Sequence, residues 1–136
     1  MIESTIVKRI IKELSEMYFQ FTLSSDESNS FNYLSDALIG FLELSNEISK
    51  KGDFDSILIS KVAPNFLPQF NSSLNDSIKN LSQWKLEFEI ILPSKGSKWV
   101  KILAVPKTLE LGSVVYIGKI EDITTQKFNE QNLQVF

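Results

Sequence analysis

The clearest pattern along the chain is an alternation of apolar and polar residues from Trp84 to Leu92. Every second side chain is apolar, and Lys85, Glu87 and Glu89 stand between them. A repeat of two residues is typical of a strand with one buried face. The segment that follows, Pro-Ser-Lys-Gly-Ser, predicts a hairpin turn because Gly96 can adopt a positive φ.

Two more strands are predicted after this turn. The segment Trp99–Val105 is almost entirely apolar, so both of its faces are expected to be covered. Pro106 has no N–H to donate and belongs at the end or edge of a strand. The segment Val114–Ile120 is rich in β-branched residues, which favour strands. Together with Trp84–Leu92, these segments predict an antiparallel meander.

A polar helix is predicted to leave the third strand of this meander. It would begin at about Gln126, with Thr124 or Thr125 as its N-cap. Asp122 stands near the start of the helix, where a carboxylate interacts well with free backbone N–H groups. From the residues alone, Asp122 is either a local cap or simply the end of a strand.

The first half of the chain predicts two short strands followed by helices. Phe19–Leu23 alternates, a polar turn follows, and Phe31–Leu34 forms the second strand. Apolar residues at helical spacing then predict helices within residues 35–42, 54–62 and 68–81. The predicted fold class is therefore α+β, with one five-stranded antiparallel sheet and helices on one face.

An amphipathic helix is predicted at the N-terminus, from Ile2 to Met17. Its apolar stripe includes Ile6, Ile10 and Leu14. This helix either packs on its own domain or serves as a dimerisation and signalling helix. If the sheet is apolar on its outer face, the helix, a partner subunit or both would cover it.

Composition excludes several functions. The 136 residues allow one core, and a net charge of −3 argues against binding to nucleic acid. No apolar run reaches the roughly 20 residues that span a bilayer, so no membrane contact by this segment is expected. The chain has no cysteine and no histidine, which excludes thiol and imidazole catalysis and zinc sites built from these residues. Absence of cysteine also fits a cytoplasmic protein.

The spacing of landmarks in the second half resembles the C-terminal part of a PAS domain, including its closing Asp-Ile-Thr motif. These landmarks are Trp84, Glu87-Phe88-Glu89, Gly96, Trp99, Pro106, Gly112, Gly118, Asp122-Ile123-Thr124, Lys127, Glu130 and Leu133. The first half fits more loosely, so the resemblance covers roughly residues 18–133. One departure is Glu43, where the family often has glycine.

The resemblance implies three segments and a signalling role. Residues 1–17 would be the dimer or signalling helix, residues 18–124 the sensor domain, and residues 125–136 the start of a linker helix. It implies a homodimer and a covalently linked output domain, such as a histidine kinase or a cyclic-dinucleotide enzyme. Asp122, Ile123 and Thr124 would relay the signal, and the domain itself would not be an enzyme.

The identity of a ligand is left open. Absence of cysteine excludes the flavin–cysteine adduct of light-sensing relatives, and absence of histidine excludes histidine-ligated haem. A pocket, if present, would lie between the inner sheet face and the middle helices. Lys101, Lys119 and Glu121 mark the outer face, so the candidate lining residues are Phe41, Ile57, Phe70, Phe88, Ile102, Ala104, Tyr116, Gly118 and Ile120.

Three interpretations of this interior remain. A specific ligand site needs convergent polar groups, and only Tyr116, with Tyr33 nearby, offers them. A packed core is the simpler interpretation, which would make the chain a ligand-free structural dimerisation module. The third is a lipid or small-molecule carrier, or a small enzyme, of a different fold.

Overall fold

The computed structural model describes residues 16–23, 29–44, 54–109 and 112–135. The predicted N-terminal helix, with Ile6, Ile10 and Leu14, lies outside these residues except for Glu16 and Met17. At these two positions the prediction is wrong, because neither is helical and Met17 begins the first strand. The strands are β1 (Met17–Leu23), β2 (Asn29–Leu34), β3 (Trp84–Leu92), β4 (Gly96–Thr108) and β5 (Val114–Asp122). The helices are α1 (Asp36–Phe41), α2 (Phe54–Lys61), a 3-10 helix (Pro64–Phe66), α3 (Leu67–Asn80) and α4 (Thr124–Val135).

The five described strands form one antiparallel sheet in the order β2-β1-β5-β4-β3. β1 and β2 form a hairpin at one edge, and the chain then passes through the helices to β3 at the opposite edge. The meander β3-β4-β5 returns to pair with β1. The predicted α+β class and five-stranded antiparallel sheet are therefore confirmed.

Most buried apolar residues of the strands lie on one face of the sheet. In β3, Trp84, Phe88, Ile90 and Leu92 are buried, as their alternation predicts. The longest row of paired residues on this inner face runs Leu34–Phe19–Gly118–Ala104–Trp84 across the five described strands. Two small residues at the centre of the row are thus flanked by two large aromatic side chains.

The prediction that both faces of β4 are covered is wrong at its C-terminal end. Val105 and its cross-strand partner Ile117 are each 55% exposed on the outer face. β4 is also longer than predicted and includes Pro106. The pairing of β4 with β3 stops at Ala104, so Pro106 lies where β4 has a strand on one side only.

Some of the helix boundaries coincide with capping and proline signals in the sequence. The side chain of Ser35 caps α1 by accepting a hydrogen bond from Leu38 N at 3.3 Å. After α2, Ala63 N donates to Glu89 O at 2.9 Å, so this segment attaches to the free edge of β3. Pro68 lies in the first turn of α3, where proline is tolerated.

A single hydrophobic core lies between the inner sheet face and helices α1, α2 and α3. The helices contribute buried leucines and Phe70, and the sheet contributes residues from β1, β3, β4 and β5. The core residues are Phe19, Phe21, Leu38, Leu42, Leu44, Leu58, Val62, Phe70, Trp84, Phe88, Ile90, Leu92, Val100, Ile102, Ala104, Tyr116 and Ile120.

Candidate functional site

Most of the predicted lining residues lie together in this core. Phe70, Phe88, Ile102, Ala104, Tyr116 and Ile120 are buried in one cluster, and Gly118 is half-buried beside Ala104. Phe41 is half-buried at the rim of the core, with the Lys95 Nζ atom 5.0 Å from its ring centre. Ile57 lies in α2, but its side chain is outside the described set. Tyr33 is 54% exposed on β2, so the expectation that it lies near the interior is wrong.

Aromatic rings contact one another at the centre of the core. Phe70 meets Trp84 at 5.3 Å and Phe88 at 5.4 Å between ring centres, both edge to face. Tyr116 lies 6.3 Å from both Trp84 and Phe21. These separations are typical of packed aromatic pairs. We call Phe21, Phe70, Trp84, Phe88 and Tyr116 the aromatic cluster, and these side chains fill this part of the core.

Two serines of α3 satisfy the polar atoms of this cluster. Ser77 Oγ donates to Ser82 O at 2.5 Å, so the Tyr116 hydroxyl must donate the 2.7 Å bond between Tyr116 and Ser77. Trp84 Nε1 donates to Ser73 Oγ at 2.9 Å. Burial raises the pKa of Tyr116, and its bond to Ser77 opposes that shift. Every polar group at the aromatic cluster is thus used within the protein.

Sequence reasoning missed Ser73 and Ser77. Ser73 comes three residues after Phe70, and Ser77 comes four residues after Ser73, so all three lie on the same face of α3. Serine on the apolar face of a helix next to buried Tyr and Trp is the signal that would have identified these partners.

Gly118 has no room for a side chain. A Cβ at this position would lie 2.6 Å from Ala104 Cβ and 2.5 Å from Leu103 O. Glycine here therefore permits the close approach of β4 and β5. Its role in the core is to set the distance between these strands.

A second group of residues connects the sheet to α4. Thr124 Oγ1 accepts a 2.9 Å hydrogen bond from Trp99 N, and Ile123 N donates to Trp99 O at 2.9 Å. Asp122 Oδ1 accepts bonds from Thr124 N at 3.0 Å and Thr124 Oγ1 at 2.6 Å. Asp122 thus orients the hydroxyl that binds β4. The prediction that Thr124 or Thr125 caps α4 is wrong, because Asp122 holds the first turn and Thr124 binds Trp99.

Lys127 extends these contacts along α4. Its Nζ atom lies 2.6 Å from Glu87 Oε1 of β3 and 5.2 Å from the ring centre of Trp99. The hydrogen bond with Glu87 raises the pKa of Lys127. The Trp99 ring also meets the Phe66 ring edge to face, with 5.3 Å between ring centres. We call Trp99, Asp122, Ile123, Thr124 and Lys127 the exit corner.

A polar surface cleft of about 420 Å³ lies beside the exit corner, where β1 begins and β5 ends. Lys119 and Glu121 form a 2.9 Å ion pair there, and this bond lowers the pKa of Glu121. The lining residues are Glu16, Met17, Lys119, Ile120, Glu121 and Asp122.

The described residues contain neither a metal site nor a helix that could span a membrane. No three acidic, histidine or cysteine residues come together in the described ranges in a way that could hold a metal ion. Within the same ranges, no helix has the length and apolarity to cross a bilayer. What the arrangement provides is a packed interior and a hydrogen-bonded connection between sheet and helix.

Comparison with solved structures identifies the fold. The chain superimposes on a sensory box histidine kinase/response regulator from Burkholderia thailandensis with a TM-score of 0.64 at 14% identity, covering 95% of this chain and 92% of that one. A domain of a putative light and redox sensing histidine kinase from Haloarcula marismortui gives 0.65 at 16% identity, covering 88% and 99%. The PAS domain of the fruit-fly ELK potassium channel gives 0.59 at 20% identity, covering 91% and 98%.

The protein has the PAS fold. An N-terminal domain of a diguanylate cyclase with a PAS/PAC sensor, from Marinobacter aquaeolei, is also similar, with a TM-score of 0.63 at 12% identity over 81% of this chain and 98% of that one. No protein-family model and no curated protein sequence matches the chain.

Proposed function

We propose that this chain is a sensory or signal-relay module of a larger regulatory protein, in which α4 carries the signal to an output domain. The observation that carries the proposal is the pair of bonds joining Trp99 to Ile123 and Thr124. Through them the first turn of α4 is attached to the backbone of β4. Similarity to domains of sensor histidine kinases and of a diguanylate cyclase supports the same role.

The proposed mechanism is mechanical. A shift of β4 relative to β5 moves the Trp99 backbone, and Thr124 follows because its oxygen accepts from Trp99 N. Asp122 supports this transfer, since it fixes the Thr124 hydroxyl and the first N–H of α4 together. Asp122, Ile123 and Thr124 are therefore the relay residues, and Lys127 holds the next turn against β3.

The output is proposed to be a histidine kinase or a cyclic-dinucleotide enzyme, linked through α4. Residues 1–17, 18–124 and 125–136 would act as signalling helix, sensor domain and start of the linker. The module itself would carry no catalytic activity and would act in the cytoplasm without contacting nucleic acid or membrane. Two half-exposed residues of the outer sheet face, Val105 and Ile117, and the 61% exposed Phe128 of α4 support a homodimer.

Replacing Asp122 with alanine in the full-length protein tests the relay. We expect loss of regulated output while the domain stays folded, because the Thr124 hydroxyl loses the partner that orients it. Asp76→Ala, at an exposed aspartate of α3, is the matched control and should leave regulation intact. Normal regulation in Asp122→Ala would refute the relay role.

A second candidate function is a ligand-free dimerisation module. The aromatic cluster favours it, because the rings contact one another and their polar atoms are satisfied by Ser73 and Ser77. A small apolar ligand would have to displace these rings, and a lipid carrier would need a larger cavity still. The packing therefore supports a relay that works without an internal ligand.

Native mass spectrometry separates these possibilities. A dimer at the apoprotein mass is expected for the ligand-free module. Extra mass that is lost on denaturation would instead show a bound molecule, and a lipid of that mass would favour the carrier. A monomer would count against the dimerisation role.

A further inference from the structure

Glu43 adopts a backbone conformation that usually belongs to glycine. It follows α1 with φ at +58°. Leu44 N donates to Ile39 O at 3.0 Å and Glu43 N to Gly40 O at 3.2 Å, which is the Schellman pattern at the end of a helix. A residue with a Cβ is strained in this left-handed position. Contacts of the Glu43 side chain can offset this strain.

The Glu43 carboxylate makes such contacts with the β3–β4 turn. It accepts hydrogen bonds from Ser94 N at 3.1 Å, Ser94 Oγ at 2.5 Å and Lys95 N at 3.3 Å. The bond from the Ser94 hydroxyl is the main cause that lowers the pKa of Glu43. In return, Lys95 Nζ donates to Gly40 O at 3.0 Å and Phe41 O at 2.8 Å. We call this reciprocal set of bonds the clasp.

The clasp holds the tip of the β3–β4 hairpin, and β4 reaches the exit corner a few residues after this tip. β5 pairs with β4 only from Val100 onward, so Gly96–Trp99 pairs with β3 alone. On its other side, this segment is bonded at Trp99 to Ile123 and Thr124. Only three residues separate Lys95 from Trp99. The start of β4 is therefore fixed at one end to α1 and at the other to α4.

The clasp also lies next to the core. Leu42 and Leu44, on either side of Glu43, are 1% and 0% exposed. A rearrangement of the core beneath α1 would move these leucines and, with them, the Glu43 backbone. Because the carboxylate binds the hairpin tip, that movement reaches the turn directly.

We propose that the clasp couples α1 to α4 through the start of β4, as a route for the signal that does not pass through the centre of the sheet. This proposal rests on the relay function proposed above and adds its input residues, Glu43 and Lys95. Coupling of this kind is reciprocal, so loosening α4 should also loosen the clasp. Evidence for it must come from a measured change at one end when the other end is altered.

Amide hydrogen exchange, measured by NMR on the whole 136-residue chain, tests the coupling. Glu43→Gly removes the clasp while relieving the left-handed strain. Leu81→Gly is the matched control, because Leu81 also has a positive φ of 50° after α3 and is 53% exposed. Both variants gain glycine at a left-handed helix end, and only the first loses a carboxylate bound to the hairpin.

In Glu43→Gly we expect exchange to accelerate about tenfold at Ser94 and Lys95 and several-fold at Trp99 and Ile123, with the buried Tyr116 amide unchanged. Leu81→Gly should change none of these amides. Acceleration confined to Ser94 and Lys95 would overturn the coupling, since the clasp would then be local. No acceleration at all would overturn the clasp itself.

Lys95→Met provides an independent variant that leaves the Glu43 backbone untouched. It removes the ammonium bonds to Gly40 O and Phe41 O, so the same four amides should exchange faster, by a smaller factor. If Glu43→Gly accelerates Tyr116 as well, the domain has been destabilised globally and Lys95→Met decides the question. These measurements concern the isolated chain, whereas Asp122→Ala tests regulated output, so either proposal can fail alone.

Discussion

The aromatic cluster and the exit corner are held together by opposite means. The cluster joins α3 to β1, β3 and β5 on the inner face through buried rings, with Phe70, Phe88 and Tyr116 at most 1% exposed. The exit corner joins β3 and β4 to α4 through hydrogen bonds and a Lys127–Glu87 ion pair whose side chains are 25% and 39% exposed. Buried apolar contacts dominate stability, whereas exposed ion pairs contribute little.

This difference indicates how the two regions divide their roles. Removing a buried ring from the interior lowers the free energy of unfolding by several kcal/mol, so the interior resists rearrangement. Bonds at the corner are individually weak, and water can replace them. A region that stores little free energy can change its contacts without unfolding the domain. The comparison predicts that changes in the interior alter stability, and that changes in the corner alter communication.

Phe70→Ala should give the largest effect on stability. Deleting a buried phenylalanine costs about 3–5 kcal/mol, and Phe70 contacts both Trp84 and Phe88. Phe128→Ala is the matched control, since Phe128 is 61% exposed and exposed sites usually change stability by within about 0.5 kcal/mol. Urea denaturation monitored by circular dichroism measures both. A loss near 1 kcal/mol for Phe70 would mean that the interior is not the rigid region described here.

Gly118→Ala should come next, with a loss of about 1–3 kcal/mol from overpacking. The new Cβ would lie 2.6 Å from Ala104 Cβ, and the strands would have to separate. Gly40→Ala is the opposite case, because no heavy atom lies within 4 Å of its added Cβ. Alanine in a helix should stabilise by about 0.5–1 kcal/mol there. Thermal denaturation of both variants checks the predicted difference in sign, and equal shifts would contradict it.

Asp122→Ala should reduce stability by only about 1 kcal/mol, the usual cost of losing a helix cap. Its greater effect should be on α4, whose first turn loses the acceptor of the Thr124 N–H bond. Hydrogen exchange should accelerate at Thr124 and Lys127 while Tyr116 stays protected. A loss as large as that of Phe70→Ala would erase the distinction between corner and interior.

Lowering the pH should have the smallest effect on stability, and this effect should come from surface groups only. The folded-state pKa of Glu43 lies below its ordinary 4.5, so its contribution is present above that value and is lost as pH falls through the lowered pKa. Melting temperatures of wild type and Glu43→Gln should therefore converge as the pH falls below 4.5 and through the lowered pKa of Glu43. Phe70→Ala should remain equally destabilised relative to wild type, because its neighbours do not titrate in acid. A difference between wild type and Glu43→Gln that does not depend on pH would contradict the assignment.

Sequence patterns predicted what depends on neighbours along the chain. The alternation in β3 predicted which residues of that strand are buried. The positions of Lys101, Lys119 and Glu121 on the outer face predicted which residues of β4 and β5 face the core. Both follow from the two-residue repeat of a strand, which is a local property. The packing of these residues into an aromatic cluster agrees with the simpler interpretation of the interior.

Contacts between distant segments could not be predicted in the same way. Exposure of Val105 and Ile117 depends on what covers the outer sheet face, which composition does not reveal. The left-handed Glu43 depends on a turn 51 residues later in the chain. The choice of Trp99 as the partner of Thr124 depends on β4 extending beyond β5, because only there is the Trp99 backbone free to bond with α4.

The unequal lengths of the strands also bear on strand addition between molecules. An uncovered sheet edge is a template on which another molecule can add a strand. Here Val62 pairs with Ile90 against the β3 edge, and Pro106 interrupts the stretch of β4 that extends past β3. A proline cannot donate to an incoming strand. Pro106, which lies just after the end of the pairing with β3, therefore also discourages fibril-like association.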